Sequence, residues 1–431
     1  MMMKIYKGHI VYTKERTRFE VVENGYIAVG DGRVIGVASS LDGLSSAVGQ
    51  LGDAEVVDFG NRLLIPAMND VHVHAPQYHN QGIAMDLPLL PWLENYTFPE
   101  ETRFSDVDYA DRIYRRFVNH LWRVGTMRAA VFATIHTAGT LRLMDIFSQS
   151  GMGALVGKVA MNRNCPEALS ESVEDYLQGM EQIMSAYSDR EGLVRPIVTP
   201  RFIPSCTPEL LTACADVARR HHLAVQSHLS ENLSEIALVR QLEPLSRGYG
   251  DAYRRYGLFG QVPTVMAHCV WSDEQERQLM REGGVMVAHC PTSNFNVSSG
   301  MAPVRTFLNE GLTVGLGSDI SGGHDLSLFR TMVYAIQVSK MHYQQRGDEM
   351  PFLSLSEAFW MATKGGGSLF GRVGSFEPGY DFDALVIDDG DLYPDDYTLM
   401  QRLERYIYIG DDRHIVHRFC RGKEVRLNSC Q

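Results

Sequence analysis

From about residue 66 to 371, short apolar runs alternate with longer segments of helical period. The runs are LLIPAMNDVHVH, GTMRAAVFATI, GALVGKVAM, VRPIVTPRF, LAVQSHLSE, PTVMAHCV, GGVMVAHCP and TVGLGSDI. Eight buried strands, each followed by a helix, predict an α/β fold of the (β/α)8 TIM-barrel type, whose chemistry gathers at the C-terminal ends of the strands. Residues 1–65 pattern differently, as short strands joined by glycine-containing turns, with Asp31-Gly32 as a hairpin signal. Residues 372–431 return to strand patterns in FDALVID and IVHRFCRGKEV. The two ends are therefore expected to form one small β-sandwich lobe beside a barrel spanning 66–371. A doubly wound open sheet would carry a glycine-rich turn after its first strand, and none is present. The glycines of Lys364-Gly365-Gly366-Gly367-Ser368 come late and read as a helix end.

Length and charge narrow the class. A chain of 431 residues suits one large barrel with an accessory lobe. A formal charge of −12 without a Lys/Arg cluster argues against a nucleic-acid partner, whose phosphates demand a concentrated basic surface. No run of about 18 apolar residues appears, and MMMKIYKGHIVYT lacks a signal-peptide core, so no membrane association and a cytoplasmic location are expected. The seven cysteines, at 165, 206, 214, 269, 290, 420 and 430, are scattered and never spaced C-x-x-C. That pattern suits a reducing compartment and gives no thiolate metal site.

Candidate chemistry lies at the strand ends. His72 and His74 stand one residue apart, and strand alternation sends both imidazoles to the same face. His228 is near the end of the fifth run with Glu231 three residues on, His268 ends the sixth, and Asp319 ends the eighth. Three imidazoles and a carboxylate, His72, His74, His228 and Asp319, suit zinc, with iron as the substitute. Such an ion makes a nucleophile of water at neutral pH, Glu231 is then the proton shuttle, and His268 orients the water. For Glu231 the competing reading is a solvated helix-start carboxylate. The fourth run has no lysine to bridge two ions and Lys158 lies mid-strand in the third, so one ion per chain is expected. His79, His136, His289 and His324 read as packing or supporting residues, and Trp92 and Phe98 either line a pocket or pack their loop.

The order His-x-His, His with a following Glu, His, then Asp resembles the amidohydrolase superfamily. Within it, VHVHAPQYHNQG, MDLPLLPWLENYTFPEE, FATIHT, RPIVTPRF, QSHLSEN, AHCPTSNFNVSSG, GSDISGG and YIGDDRHI resemble the guanine deaminase family over nearly the whole chain. The resemblance implies an amidohydrolase-type barrel, a zinc ion, a homodimer, and hydrolysis of guanine at C2 to xanthine and ammonia. It also implies that His72, His74, His228 and Asp319 hold the zinc, that Glu231 is the proton shuttle, and that Gln77, Arg201 and Phe202 contact the purine; Trp92, His228 and Glu231 are expected to border the same site, and Glu231, His268 and Asp319 to serve catalysis. The segment from Ile320 to Asp325 departs from the family pattern. An enzyme acting on another aminopurine or an s-triazine, and a metal-free scaffold, are the competing readings.

Overall fold

The structure is a computed structural model that describes residues 3–49, 51–52, 54–346, 351–393 and 396–427. The lobe is one seven-stranded sheet whose order interleaves the two chain ends. Ile415–Cys420, Ala384–Ile387, Glu55–Pro66, Lys4–Tyr12, Glu20–Gly30 and Arg33–Ala38 follow one another across it, with Lys423–Glu424 at the C-terminal edge. Asp31 and Gly32 both have positive φ, 49° and 77°, and close a two-residue hairpin in which Gly30 pairs with Arg33. Left-handed backbone at both central positions is what such a turn requires, which is why Asp-Gly signals it. Tyr6, Phe59, Phe376, Phe382 and Phe419 pack with aliphatic neighbours into the lobe's own core.

Two residues past Pro66 the first barrel strand begins, Met68–His74. It pairs in parallel with Thr126–Phe132, then Gly153–Gly157, then Val194–Pro196. A second parallel set runs Val225–Leu229, Thr264–His268, Met286–His289 and Val314–Leu316. A parallel bridge between Val198 and Val225 joins the two sets on one side. On the other side Asp319 N–H donates to His72 O at 2.9 Å and His74 N–H to Ile320 O at 3.1 Å. The eight strands therefore close on themselves. In the fourth run, VRPIVTPRF, two prolines interrupt the ladder, and the strand appears as Val194–Pro196 followed by the short stretch Thr199–Pro200.

The barrel is filled, as its apolar runs demand. Val71, Ala130, Leu155, Ile197, Val265 and Met286 form one buried cluster with Phe370 and Val373. Outside the strands, helices such as Val107–Arg123 bury one face, here Tyr114, Phe117 and Leu121, while their charged residues face water. Lobe and barrel are joined by a buried fork: Arg128, on the second barrel strand, donates to Asp383 at 2.6 Å and Asp381 at 2.9 Å. Six of the cysteines are free thiols, and Cys430 falls outside the described residues. Among the described residues, no helix is long and apolar enough to cross a membrane.

Candidate active site

The first strand delivers His72 and His74 to one face at its C-terminal end, and both are buried. His74 Nε2 lies 3.3 Å from His72 Nε2 and 3.2 Å from His228 Nε2. Asp319 Oδ1 stands 3.2 Å from His72 Nε2 and 3.4 Å from His74 Nε2. His268 Nε2 is 3.7 Å from the other Asp319 oxygen and 3.4 Å from Glu231 Oε2. The six side chains singled out by their strand-end positions thus share one centre.

Backbone conformation at the strand ends helps aim them. Ser230, His268, Cys269 and Asp319 all have φ between 46° and 73°, a left-handed region that non-glycine residues seldom occupy and that recurs at functional sites. Asn232 caps the helix Leu233–Leu242, whose Glu235 reaches back to accept from the Glu231 N–H at 3.2 Å. That capping box holds the turn on which Glu231 projects into the barrel mouth.

Electrostatics divide the cluster. Burial drives the His74 imidazole well below its ordinary value, with neighbouring His72 adding to the effect. His228 is lowered in the same way by burial and then by His72 and His74, and His72 is lowered by burial against the pull of Asp319. All three shifts favour the neutral ring, which has a lone pair to offer. Burial pushes the Asp319 carboxyl up, but His72 and the other imidazoles outweigh it and hold Asp319 well below the carboxylate range. For His268 burial acts downward, and the Glu231 and Asp319 carboxylates reverse it to a raised value. Glu231 is raised by burial, with His268 opposing and Asp319 adding.

The donor set fits a divalent metal. His228 Nδ1–H donates to the Arg201 carbonyl at 2.6 Å, which leaves its Nε2 unprotonated and directed at the cluster. Three neutral nitrogens and one ionised carboxylate oxygen, without thiolate, match the ligand chemistry of zinc or iron. His72, His74 and Asp319 present ligand atoms within 4.8 Å of one another, as do His72, His228 and His268. Lys158 is engaged elsewhere, in a buried ion pair with Glu171.

Beside the cluster lies a cavity bordered by Gln77, Trp92, Arg201, Phe202, His228, Glu231, His268 and Asp319. Leu89, Leu93 and Val297 complete an apolar wall. Trp92 lines the cavity and also fixes its loop, its Nε1–H donating to Ile83 O at 3.2 Å, so both readings of that residue hold. Phe98 packs in the cluster beneath, with the Arg201 guanidinium 5.2 Å from its ring centroid. His79, His136, His289 and His324 do not border the cavity. Four supporting residues escape a reading of motifs: Asp70, which accepts from Ser318 Oγ at 2.5 Å and His72 N–H at 3.1 Å; Asn294, bonded to His268 Nδ1 at 2.8 Å; Ser299, which donates to Glu231 Oε1 at 2.9 Å; and Glu101. Asn294 and Ser299 fall within AHCPTSNFNVSSG, so the segment was visible although their partners were not.

The sequence profile of the Amidohydrolase family matches residues 63–425. A guanine deaminase of Dictyostelium discoideum is 36% identical over 447 aligned positions, covering 99% of this chain and 99% of that protein. The chain belongs to the guanine deaminases of the amidohydrolase family. This guanine deaminase family member is also 32% identical to the guanine deaminase of Escherichia coli K12, over 86% of this chain and 84% of that protein. A crystal structure of a guanine deaminase from C. acetobutylicum, with guanine bound in its active site, superposes with a TM-score of 0.95. The two share 51% sequence identity over 98% of this chain and all of the other. Amidohydrolases are metal-dependent, and the imidazole–carboxylate centre described above is this family member's candidate metal site.

Proposed function

We propose that the chain hydrolyses guanine at C2 to xanthine and ammonia, with one zinc ion held by His72, His74, His228 and Asp319. The observation that carries this reading is the likeness, at 51% identity, to a guanine deaminase whose structure contains guanine. The donor-rich cavity beside the imidazole cluster agrees with it. When bound, the ion supplies the Lewis acidity that makes a nucleophile of water at neutral pH.

The chain's own groups do the rest. Gln77 and Arg201 present N–H donors to an oxo group and ring nitrogens, and Phe202, whose ring centroid is 6.4 Å from that of His228, offers an aromatic surface to the base. Trp92 with Leu89 and Leu93 limits entry of bulk water. Glu231 takes a proton from the attacking water and passes it to the ring nitrogen beside C2; it then takes the hydroxyl proton of the tetrahedral intermediate and delivers it to the amine, so that ammonia leaves as the C2 carbonyl forms. Ser299 holds Oε1 of Glu231, so Oε2 is the oxygen that faces His268 and carries the proton. His268, steadied by Asn294, stabilises charge developing on the attacking oxygen.

The test pairs metal content with xanthine formation from guanine by the purified protein. An ion-loaded protein that releases ammonia from an aminotriazine or another aminopurine far faster than from guanine overturns the substrate assignment. A metal-free protein overturns the hydrolytic one. A homodimer in the cytoplasm, and a division into lobe (1–65), barrel (66–371) and lobe (372–431), belong to the same proposal; light scattering checks the dimer.

A further inference from the structure

We propose that Glu101 is the positioning residue that makes this site accept a 6-oxo purine and reject a 6-amino one; the inference rests on the guanine reading above. Glu101 is buried on the short helix Phe98–Thr102 and stands behind the cavity wall without lining it. Its two oxygens are divided between two residues that do line the cavity. Oε1 accepts from Gln77 Nε2 at 2.9 Å, and Oε2 accepts from Arg201 Nη1 at 2.5 Å. Gln77 Oε1 is in turn occupied by the Ser321 N–H at 3.0 Å.

An isolated glutamine amide is ambivalent, because rotation by half a turn exchanges its donor and acceptor. Here rotation would set Oε1 against the Glu101 carboxylate, acceptor against acceptor, and would set the NH2 against the Ser321 N–H, donor against donor. Both contacts are buried, where an unmade hydrogen bond is most costly. Glu101 and Ser321 therefore fix Gln77 with an N–H as its free donor. Arg201 has donors only, and among the described residues its buried charge is paired with Glu101. The wall thus presents donors, which an oxo group at C6 satisfies and an amino group at C6 cannot.

The neighbouring carboxylate rules out a general role for acidic residues on this helix. Glu100 turns away, bonded to Tyr109 Oη and to Arg103 at 3.1 Å. Replacing Glu101 with glutamine gives Arg201 its acceptor but confronts Gln77 with an NH2, which drives the Gln77 amide to rotate and turn an acceptor to the cavity.

The experiment compares guanine with 2,6-diaminopurine, which keeps the 2-amino leaving group and differs at C6. For Glu101→Gln the ratio of kcat/KM, guanine over 2,6-diaminopurine, falls at least tenfold, KM for guanine rises more than kcat falls, and metal content is unchanged. In a Gln77→Ala background the same substitution changes the ratio much less, because the group it acts through is gone. If Glu101→Gln does not fold, Glu101→Asp, which keeps the charge but is too short to span both donors, lowers the ratio in the same direction. A structural role alone depresses both substrates equally, so an unchanged ratio in the folded variant overturns the proposal. Wild-type protein without guanine turnover overturns the functional reading and this inference together, whereas an active wild type with an unchanged variant ratio overturns only the role of Glu101.

Discussion

The main-chain carbonyl of Arg201 accepts a 2.6 Å hydrogen bond from Nδ1 of His228, so one residue steadies the His228 imidazole with its backbone while its side chain borders the cavity. The two tasks are separable by mutation, because a side-chain replacement leaves the carbonyl in place.

Arg201→Lys keeps a cation opposite Glu101 but loses the planar fork of donors. Metal content and melting temperature should stay near wild type, while kcat/KM for guanine falls on the order of ten- to a hundredfold, the worth of a charge-assisted bond. Arg201→Ala is the less informative variant, since it strands the buried Glu101 charge at about 3–5 kcal/mol. Metal analysis, a thermal melt and xanthine absorbance together check the prediction; loss of metal in Arg201→Lys would contradict it.

Glu231→Gln removes the proton carrier and leaves the three imidazoles and Asp319 untouched. Turnover should drop by about 10²- to 10⁴-fold with the ion retained. Near-normal rates in this variant would remove Glu231 from the proposed proton path.

Chelation should abolish activity and zinc should restore it, with one ion per chain by elemental analysis. The stoichiometry follows from Lys158, whose amine is paired with Glu171 and so is withheld from bridging a second ion. A ratio near two would contradict the single-ion assignment. Loss of the ion should also lower the melting temperature, since ligand binding to the folded form alone stabilises it.

Burial, with His268 adding to it, holds His289 down to about 3 at the end of the seventh barrel strand. In the unfolded chain an imidazole titrates near 6.5. Below that value the unfolded form binds a proton that the folded form does not, so stability falls as pH drops from about 6.5 towards about 3. His289→Gln removes this contribution. Its melting temperature should therefore decline less than that of wild type between about pH 7.5 and about pH 5, and equal declines would count against the assignment.

The barrel was legible because each strand is a largely apolar, buried run whose pattern stops at the mouth. His72, His74, His228, His268 and Asp319 are conspicuous for that reason: each is a polar side chain at the point where an apolar pattern stops. Glu101 was not legible. Adjacent glutamates on a helix point about 100° apart, and nothing in TFPEE says that Glu100 meets Tyr109 while Glu101 meets Gln77 and Arg201. Asp70 was hidden differently. It lies inside the apolar run of the first strand, and its partner Ser318 arrives from the eighth, so only closure of the barrel reveals why a carboxylate is tolerated there. The fourth strand was overdrawn, since its two prolines remove ladder donors that a hydropathy pattern does not register.

Within the lobe sheet, Glu55–Pro66 has Lys4–Tyr12 on one side and Ala384–Ile387 on the other. During synthesis the first neighbour is ready early, but the second emerges only after every barrel strand has been made. Until then Glu55–Pro66 carries an open edge, a template for pairing with other chains, and Arg128 waits without Asp381 and Asp383. Non-local closure of this kind is slow, so the newborn chain keeps this edge unpaired until its final strands arrive.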